Sequence, residues 1–262
     1  MISKNQQKLV RQLEQKKYRQ REGLFVAEGP KVVGDLMRHG YRPTMLFATE
    51  EWDASGRNQV SCGPLGSMQS DCSGSMVQLL SADELQRLSF LQHPQQVLGV
   101  FPIPGADTMP APRQGSLYLA LDGVQDPGNM GTIIRIADWF GISTIYCSED
   151  CADVWNPKVV QATMGSIARV QVCYTDLPSL LSATPLPVYG TLLDGQDIYK
   201  QQLTPDGIIV MGNEGKGISA PVRRLVGHKL LIPDYHPSAD KAESLNVAIA
   251  TAITCSEFRR RL

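Results

Sequence analysis

Residues 117 to 141 read as a strand, a polar turn and a helix in direct succession, and this constrains the 262-residue chain more than any other feature. Leu117 to Leu121 is an unbroken apolar run of strand length, followed by turn chemistry in Asp126-Pro127-Gly128-Asn129. Ile133, Ile134, Ala137 and Phe140 then recur near helical spacing until Gly141 stops the pattern. A buried strand feeding a helix is half of a parallel α/β unit, and in open sheets of that kind ligands collect beyond the carboxyl ends of the strands. Asn129 and Arg135 stand at such an end. Either they belong to a site, or Asn129 caps the helix and Arg135 is merely solvated.

Two further segments repeat the pattern. Gly207 to Met211 is an apolar run that ends in the glycine-rich turn Gly212-Asn-Glu-Gly-Lys-Gly217, and Leu230-Leu-Ile-Pro233 is followed, after a loop, by Glu243-Ser-Leu-Asn-Val247 opening a helix. Strand-like runs at Leu117 to Leu121, Thr144 to Cys147, Arg169 to Cys173, Val188 to Leu192, Ile208 to Met211 and Lys229 to Ile232 alternate with helix-like segments. That alternation predicts an α/β domain, a parallel sheet with helices on both faces. The last helix, from Ser244 to about Arg260, is expected to turn Leu245, Ala248, Ile249, Ala252 and Ile253 inward as one stripe. The glycine turn lacks the Gly-Lys-[Ser/Thr] ending of a phosphate loop, so triphosphate binding has no support.

Asn129-x-Gly131-x-x-x-Arg135, Gly212-Asn-Glu214-Gly-x-Gly217, and Ile232-Pro233 with Ser244-Leu-Asn246-Val resemble, in order and spacing, the three motifs of the SpoU (TrmH-like) RNA 2'-O-ribose methyltransferases. Asn156-Pro-Lys-Val-Val160 and Met164-Gly-Ser166 are similar to the segment between the first two motifs, and the resemblance covers residues 117 to 262. It implies a parallel sheet whose carboxyl end carries a deep trefoil knot, S-adenosylmethionine as cofactor, and a homodimer with the site near the subunit interface. By the same resemblance the cofactor lies against Thr191, Leu192, Leu193, Gly212, Asn213, Glu214, Gly217, Leu231, Ile232, Pro233 and Leu245, and the catalytic set is Asn129, Arg135, Glu214, Ser244 and Asn246. The loop Asp234 to Glu243 is longer than the family's usual glycine-bearing connection.

In that set Arg135 either activates the ribose 2'-hydroxyl or binds the neighbouring phosphate bidentately and places the ribose, because a guanidinium with a pKa above about 12 is a reluctant base. Asn129 and Asn246 both donate and accept, which suits them to fixing the RNA backbone or Arg135, and Glu214 buttresses them with negative charge. Ser244 either caps its helix or meets the RNA. Two rivals stand beside the enzyme: a knotted domain that binds RNA without catalysis, and a methyltransferase acting on a base. The presence of all five catalytic-type residues favours the ribose enzyme, with ribosomal RNA slightly ahead of transfer RNA.

A net charge of -1 excludes a wholly basic coat, but both ends of the chain are basic. Lys4, Lys8, Arg11, Lys16, Lys17, Arg19 and Arg21 face Glu14 alone before residue 22, and Arg259, Arg260 and Arg261 close the chain. Lys8, Arg11, Lys16, Lys17, Arg19 and Arg21 are the expected RNA-phosphate contacts; the competing reading is a solvated amphipathic helix with Leu9 and Leu13 inward. Proline-rich composition marks residues 105–115 as a linker, separating a domain at 1–104 from one at 116–262. The first resembles the ribosomal-protein L30e-like substrate-binding domain that precedes many SpoU catalytic domains. Residues 55–75 read as an extended polar loop of no assigned role. No apolar run is long enough to span a membrane, the start is charged, and the six cysteines show no CxxC pairing, so a cytoplasmic protein with reduced thiols and no metal site is expected.

Overall fold

A computed structural model describes residues 2–52, 77–105, 109–236 and 243–260. The polar stretch 55–75, the loop residues 237–242, part of the expected linker, Cys62, Cys72 and Arg261 lie outside them. The chain forms two compact units, Met1–Asp107 with Asp153–Arg169, and Thr108–Ala152 with Val170–Leu262. Among the described residues no helix is long and apolar enough to cross a membrane, and Cys147, Cys151, Cys173 and Cys255 are free thiols.

The first unit begins with α1 (Lys4–Gln12), opened by a capping box in which the Ser3 side chain accepts from the Gln6 N–H while the Gln6 side chain accepts from Ser3 N. The helix breaks before α2 (Lys16–Glu22), which Gly23 ends in the left-handed conformation. Behind them lies a sheet of order β1-β4-β2-β3, built from β1 (Leu24–Glu28), β2 (Met45–Ala48), β3 (Val77–Leu79) and β4 (Val97–Pro102), with β1 and β2 antiparallel to β4. α3 (Pro30–Arg38) and α4 (Ala82–Leu88) complete the unit. Val10 and Leu13 join Val26, Phe47, Leu85, Leu98 and Val100 in the core, so the inward face of α1 is set by Val10 and Leu13, with Leu9 only half-buried.

One expected RNA contact is corrected here. Arg19 is 2% exposed. Its guanidinium meets Asp153 Oδ2 at 2.5 Å and donates to the carbonyls of Leu13 and Glu14 at 2.8 and 2.7 Å. A guanidinium enclosed by a carboxylate and two carbonyls serves the fold and is not presented to a phosphate. Lys8, Arg11, Lys16, Lys17 and Arg21 are exposed.

One segment from within the expected 116–262 domain, Asp153–Arg169, packs with the first unit. Trp155 sits on Phe25 with ring centroids 4.4 Å apart, Asp153 holds Arg19, and Arg169 reaches Asp35 at 3.4 Å. The segment carries α5 (Pro157–Ala162), capped by the Asn156 side chain, which accepts from the Lys158 N–H.

The second unit is a six-stranded, fully parallel sheet. It contains β5 (Leu117–Asp122), β6 (Thr144–Cys147), β7 (Gln171–Tyr174), β8 (Val188–Asp197), β9 (Gly207–Gly212) and β10 (His228–Leu231) in the order β10-β8-β9-β5-β6-β7. Strand order runs outward from β5 through β6 and β7 and then returns to the other side, so β5 and β9 flank the reversal where open sheets bind ligands. β5 and β9 are buried along their whole length, which explains their near-continuous apolar sequences. β8 continues past the expected end at Leu192: its pairing jumps from Gly190↔Lys229 to Gln196↔Leu230, leaving residues 191–195 bulged beyond the edge. Gly195 permits this, because a Cβ there would stand 2.5 Å from the Leu230 carbonyl carbon.

Two helices frame the carboxyl end. The catalytic-motif helix (Pro127–Trp139) has Pro127 in its first turn, and its cap is Asp126, whose Oδ1 accepts from Asn129 N at 2.7 Å. The side chain of Asn129 is thereby released for other work. The C-terminal helix (Val247–Arg260) starts later than expected, and its cap is Asn246, whose Oδ1 accepts from Ala248 N at 2.9 Å and Ile249 N at 3.3 Å. Ser244 precedes the helix and does not cap it. The buried residues are Val247, Ala248, Thr251, Thr254, Cys255, Glu257 and Phe258; Ala252 and Ile253 are half-buried, whereas Leu245 and Ile249 are 51% and 53% exposed. Thr251 and Thr254 donate back to the Val247 and Ala250 carbonyls, which satisfies their hydroxyls inside the interface with the neighbouring helix.

Candidate cofactor pocket and catalytic cluster

Beyond the carboxyl ends of β8, β9 and β10 lies a cavity of about 390 Å³, within the usual range of small-molecule sites. Thr191, Leu192 and Leu193 of the β8 bulge form one wall. The turn Gly212–Ile218 forms a second, and Leu230, Leu231 and Ile232 with Ser244, Leu245, Val247 and Ala250 close the rest. Every residue expected to meet the cofactor lines it except Pro233, which follows Ile232 but stays outside the lining. Ile218, Val247 and Ala250 are among the lining residues beyond those expected, as are Met211, Arg223, Leu230 and Glu243. Ile218 follows the glycine turn directly, and Val247 and Ala250 extend the Ser244-Leu245 segment into the first turn of its helix.

The glycine turn is held closed by its own backbone. Asn213 and Gly217 exchange two hydrogen bonds, each 2.9 Å, and Asn213 Oδ1 accepts from the N–H groups of Gly215 and Lys216. A Cβ at Gly212 would lie 2.3 Å from Gly217 C and from Ile218 N, so this turn closes only around glycine. Its apolar neighbours Leu192, Ile218, Leu231, Ile232 and Leu245 suit a flat ring, and the tight backbone suits close approach to a ligand's polar atoms. Glu214, Lys216, Arg223 and Glu243 supply both signs of charge around the same space, as a zwitterionic amino-acid moiety requires. The donor set therefore fits S-adenosylmethionine.

Beside the pocket, Asn129, Glu214 and Asn246 form one chain of hydrogen bonds. Asn129 Nδ2 donates to Glu214 Oε1 at 3.1 Å, and Asn246 Nδ2 donates to Asn129 Oδ1 at 2.9 Å. Glu214 also accepts from the N–H groups of Gln125 and Asp126, at 3.4 and 3.3 Å, and from Asn213 Nδ2 at 3.4 Å. The three motifs, up to 117 residues apart in the chain, thus meet in one network. Arg135 is exposed on the same helix as Asn129 and is not part of that network. Nor does it line the pocket.

Known protein families, relatives and solved structures resemble the chain over its two units. A model described as the MRM3-like substrate binding domain matches residues 4–99. The 23S rRNA (guanosine(2553)-2'-O)-methyltransferase RlmP of Bacillus subtilis is 34% identical over 185 residues, 69% of this chain and 71% of that protein. A solved TrmH-family structure from Porphyromonas gingivalis is 42% identical, with a TM-score of 0.84 and full coverage of both chains. An AdoMet-bound rRNA methyltransferase from Sinorhizobium meliloti is 30% identical, with a TM-score of 0.84 over 100% of this chain and 97% of that one. The SpoU rRNA Methylase family model spans residues 116–256, more than half of the chain, and the protein belongs to that family.

Proposed function

We propose that this protein transfers the methyl group of S-adenosylmethionine to a ribose 2'-hydroxyl of ribosomal RNA. The observation that carries the reading is the single hydrogen-bonded network joining Asn129, Glu214 and Asn246 at the rim of a pocket whose walls fit the methyl donor. Bound there, S-adenosylmethionine supplies an electrophilic methyl group on a sulfonium. Methyl transfer is an in-line displacement, so much of the catalysis lies in holding the acceptor oxygen close and aligned.

Asn129 and Asn246 hold the RNA backbone at the pocket mouth; Glu214 fixes the Asn129 amide through its carboxylate, and Asn129 in turn accepts from Asn246. Arg135 grips the phosphate next to the target ribose with its two-pronged guanidinium and stabilises the oxyanion that forms as the 2'-hydroxyl loses its proton. A phosphate oxygen or a water takes that proton, since the guanidinium itself stays charged. Ser244, exposed at the pocket wall, meets the RNA.

The first unit selects the RNA, with Lys8, Arg11, Lys16, Lys17 and Arg21 reading phosphates along α1 and α2. The name of the RlmP relative supports 23S rRNA as the substrate class. The protein acts as a homodimer in the cytoplasm, with the loops around the pocket tied in the trefoil knot of its family. Trp139, 85% exposed, and Ile249, 53% exposed, stand on two helices that pack together, and they support a subunit interface beside the site.

The test is transfer of radiolabelled methyl into total RNA lacking this modification, comparing wild type with Arg135→Ala and identifying the product by nucleoside mass spectrometry. A 2'-O-methylnucleoside formed by wild type alone is the expected result. Binding of cofactor and RNA without transfer to any RNA pool would overturn the catalytic reading.

A further inference from the structure

The strand end that precedes the catalytic helix also fastens the glycine turn, through a residue outside the three motifs. Asp122 ends β5, is 7% exposed, and accepts the backbone N–H of Ser219 on Oδ2 at 2.7 Å. Ser219 follows Ile218, the last pocket residue of the turn, and is the N-cap residue of the helix Ala220–Arg223. At the other end of the turn, Asn213 Nδ2 donates to the Gly123 carbonyl at 2.6 Å, and Glu214 accepts from Gln125 and Asp126. The short segment Asp122 to Asp126 therefore clamps the turn at entry and exit, and Asp122 holds the exit with a charge-assisted bond sheltered from water.

We infer that Asp122 is a positioning residue for the methyl donor: by fixing Ser219 it sets where the backbone of Gly217 and Ile218 meets the ligand. Among the described residues, Asp122 does not line the pocket and reaches it through Ser219. The inference rests on the reading that this pocket holds S-adenosylmethionine.

Calorimetric titration of the full-length protein with S-adenosylmethionine, together with steady-state kinetics on RNA, tests it in Asp122→Ala, Asp122→Asn, Ser219→Pro and the Asp122→Ala/Ser219→Pro double variant. Ser219 has φ -61° and ψ 151°. Its φ is the one proline imposes, so Ser219→Pro removes the N–H without bending this residue. Loss of a hydrogen bond to a buried charge should raise Kd and KM for S-adenosylmethionine about ten-fold in Asp122→Ala. RNA affinity and kcat at saturating donor should stay within about two-fold. Asp122→Asn keeps an acceptor oxygen and should recover most of the affinity. Ser219→Pro should match Asp122→Ala, and the double variant should be no weaker than either single one.

Wild-type donor affinity in folded Asp122→Ala, or additive losses in the double variant, would overturn the inference. If Asp122→Ala does not fold, Ser219→Pro decides on its own, and unchanged affinity there overturns it equally. Wild type that binds no S-adenosylmethionine would instead overturn the cofactor reading beneath it.

Discussion

The side-chain amide of Asn129 donates to Glu214 Oε1 at 3.1 Å, tying the first turn of the helix Pro127–Trp139 to the loop after β9. The bond fixes the sense of the whole network. With its Nδ2 committed to the carboxylate, Asn129 presents Oδ1 to Asn246, whose own Oδ1 is occupied by the backbone N–H groups of its helix. Glu214→Gln replaces one of two acceptor oxygens with a donor that faces other donors. We expect kcat/KM for RNA methylation to fall about ten-fold or more, from the penalty of leaving polar groups mispaired. Thermal unfolding should hardly change, because Glu214 is exposed. Unaltered kinetics would show that the network does not organise the site.

Arg19 and Asp153 make the opposite prediction. Arg19 is enclosed and its partner is 16% exposed. Asp153→Ala leaves a guanidinium without its counter-charge inside the first unit, and the expected loss of stability is about 3 kcal/mol. Arg19→Lys should be nearly as harmful, since an ammonium cannot reach the carboxylate and two carbonyls together. Chemical denaturation followed by tryptophan fluorescence measures both, as Trp155 packs in the same unit. A midpoint equal to wild type in either variant would contradict the structural role.

These two sites also show what the sequence conveys and what it withholds. The strands β5, β6 and β9 are legible because a fully buried parallel strand is apolar almost throughout, and the motif spacing singles out Asn129, Glu214 and Asn246, which the fold joins by hydrogen bonds. Arg19 looks like its solvent-facing neighbours Lys16 and Lys17, because its partner lies 134 positions away. The same distance problem hides the association of Asp153–Arg169 with the first unit. At the C-terminal helix, Leu245, Ala248, Ile249, Ala252 and Ile253 form an apolar stripe that reads as core, yet of these only Ala248 is fully buried, Ala252 and Ile253 are half-buried, and Val247, Thr251 and Thr254 go inward, with the threonine hydroxyls satisfied by their own helix. Asn246 displaces Ser244 as the cap for a similar reason: both are good caps, and only the helix start, three residues later than expected, separates them.

Two residues of that stripe, with Trp139 of the neighbouring helix, bear on the proposed dimer. Trp139, Leu245 and Ile249 are large apolar side chains left 85%, 51% and 53% exposed on one chain, and a subunit interface would cover them. Ile249→Glu and Trp139→Glu should convert a dimer to monomers in sedimentation velocity runs while preserving the circular dichroism spectrum. Methyl transfer should fall with the dimer fraction. A wild type that sediments as a monomer at every concentration would dismiss the dimer.

Gly212→Ala tests the turn itself. The added methyl would press on Gly217 C and Ile218 N, both backbone atoms, at 2.3 Å. Neither can swing aside as a side-chain tip would, so the turn must open and the pocket wall with it. Binding of S-adenosylmethionine should weaken at least ten-fold, or by roughly 1.4 kcal/mol, with RNA affinity retained. Tight donor binding in this variant would mean that the turn does not form the cofactor wall.

Glu28 gives the first unit a stability that depends on pH. Its carboxyl is buried at the end of β1, where burial raises the pKa above the ordinary value of 4.5 against the opposing hydrogen bonds from Ser89 and from the Phe90 N–H. A raised pKa means that the folded state holds the proton more tightly than the unfolded chain. The contribution to stability is therefore complete below the unfolded value, and it is lost as pH climbs through the folded one. Glu28→Gln imitates the protonated form at every pH, with its amide placed to donate to Ser89 Oγ and its oxygen to accept from Phe90 N. Melting temperatures of the two proteins should coincide below pH about 4.5 and separate above it in favour of the variant. If the wild type is instead the more stable at neutral pH, the hydrogen bonds to the carboxylate outweigh its burial, and the direction of the shift is reversed.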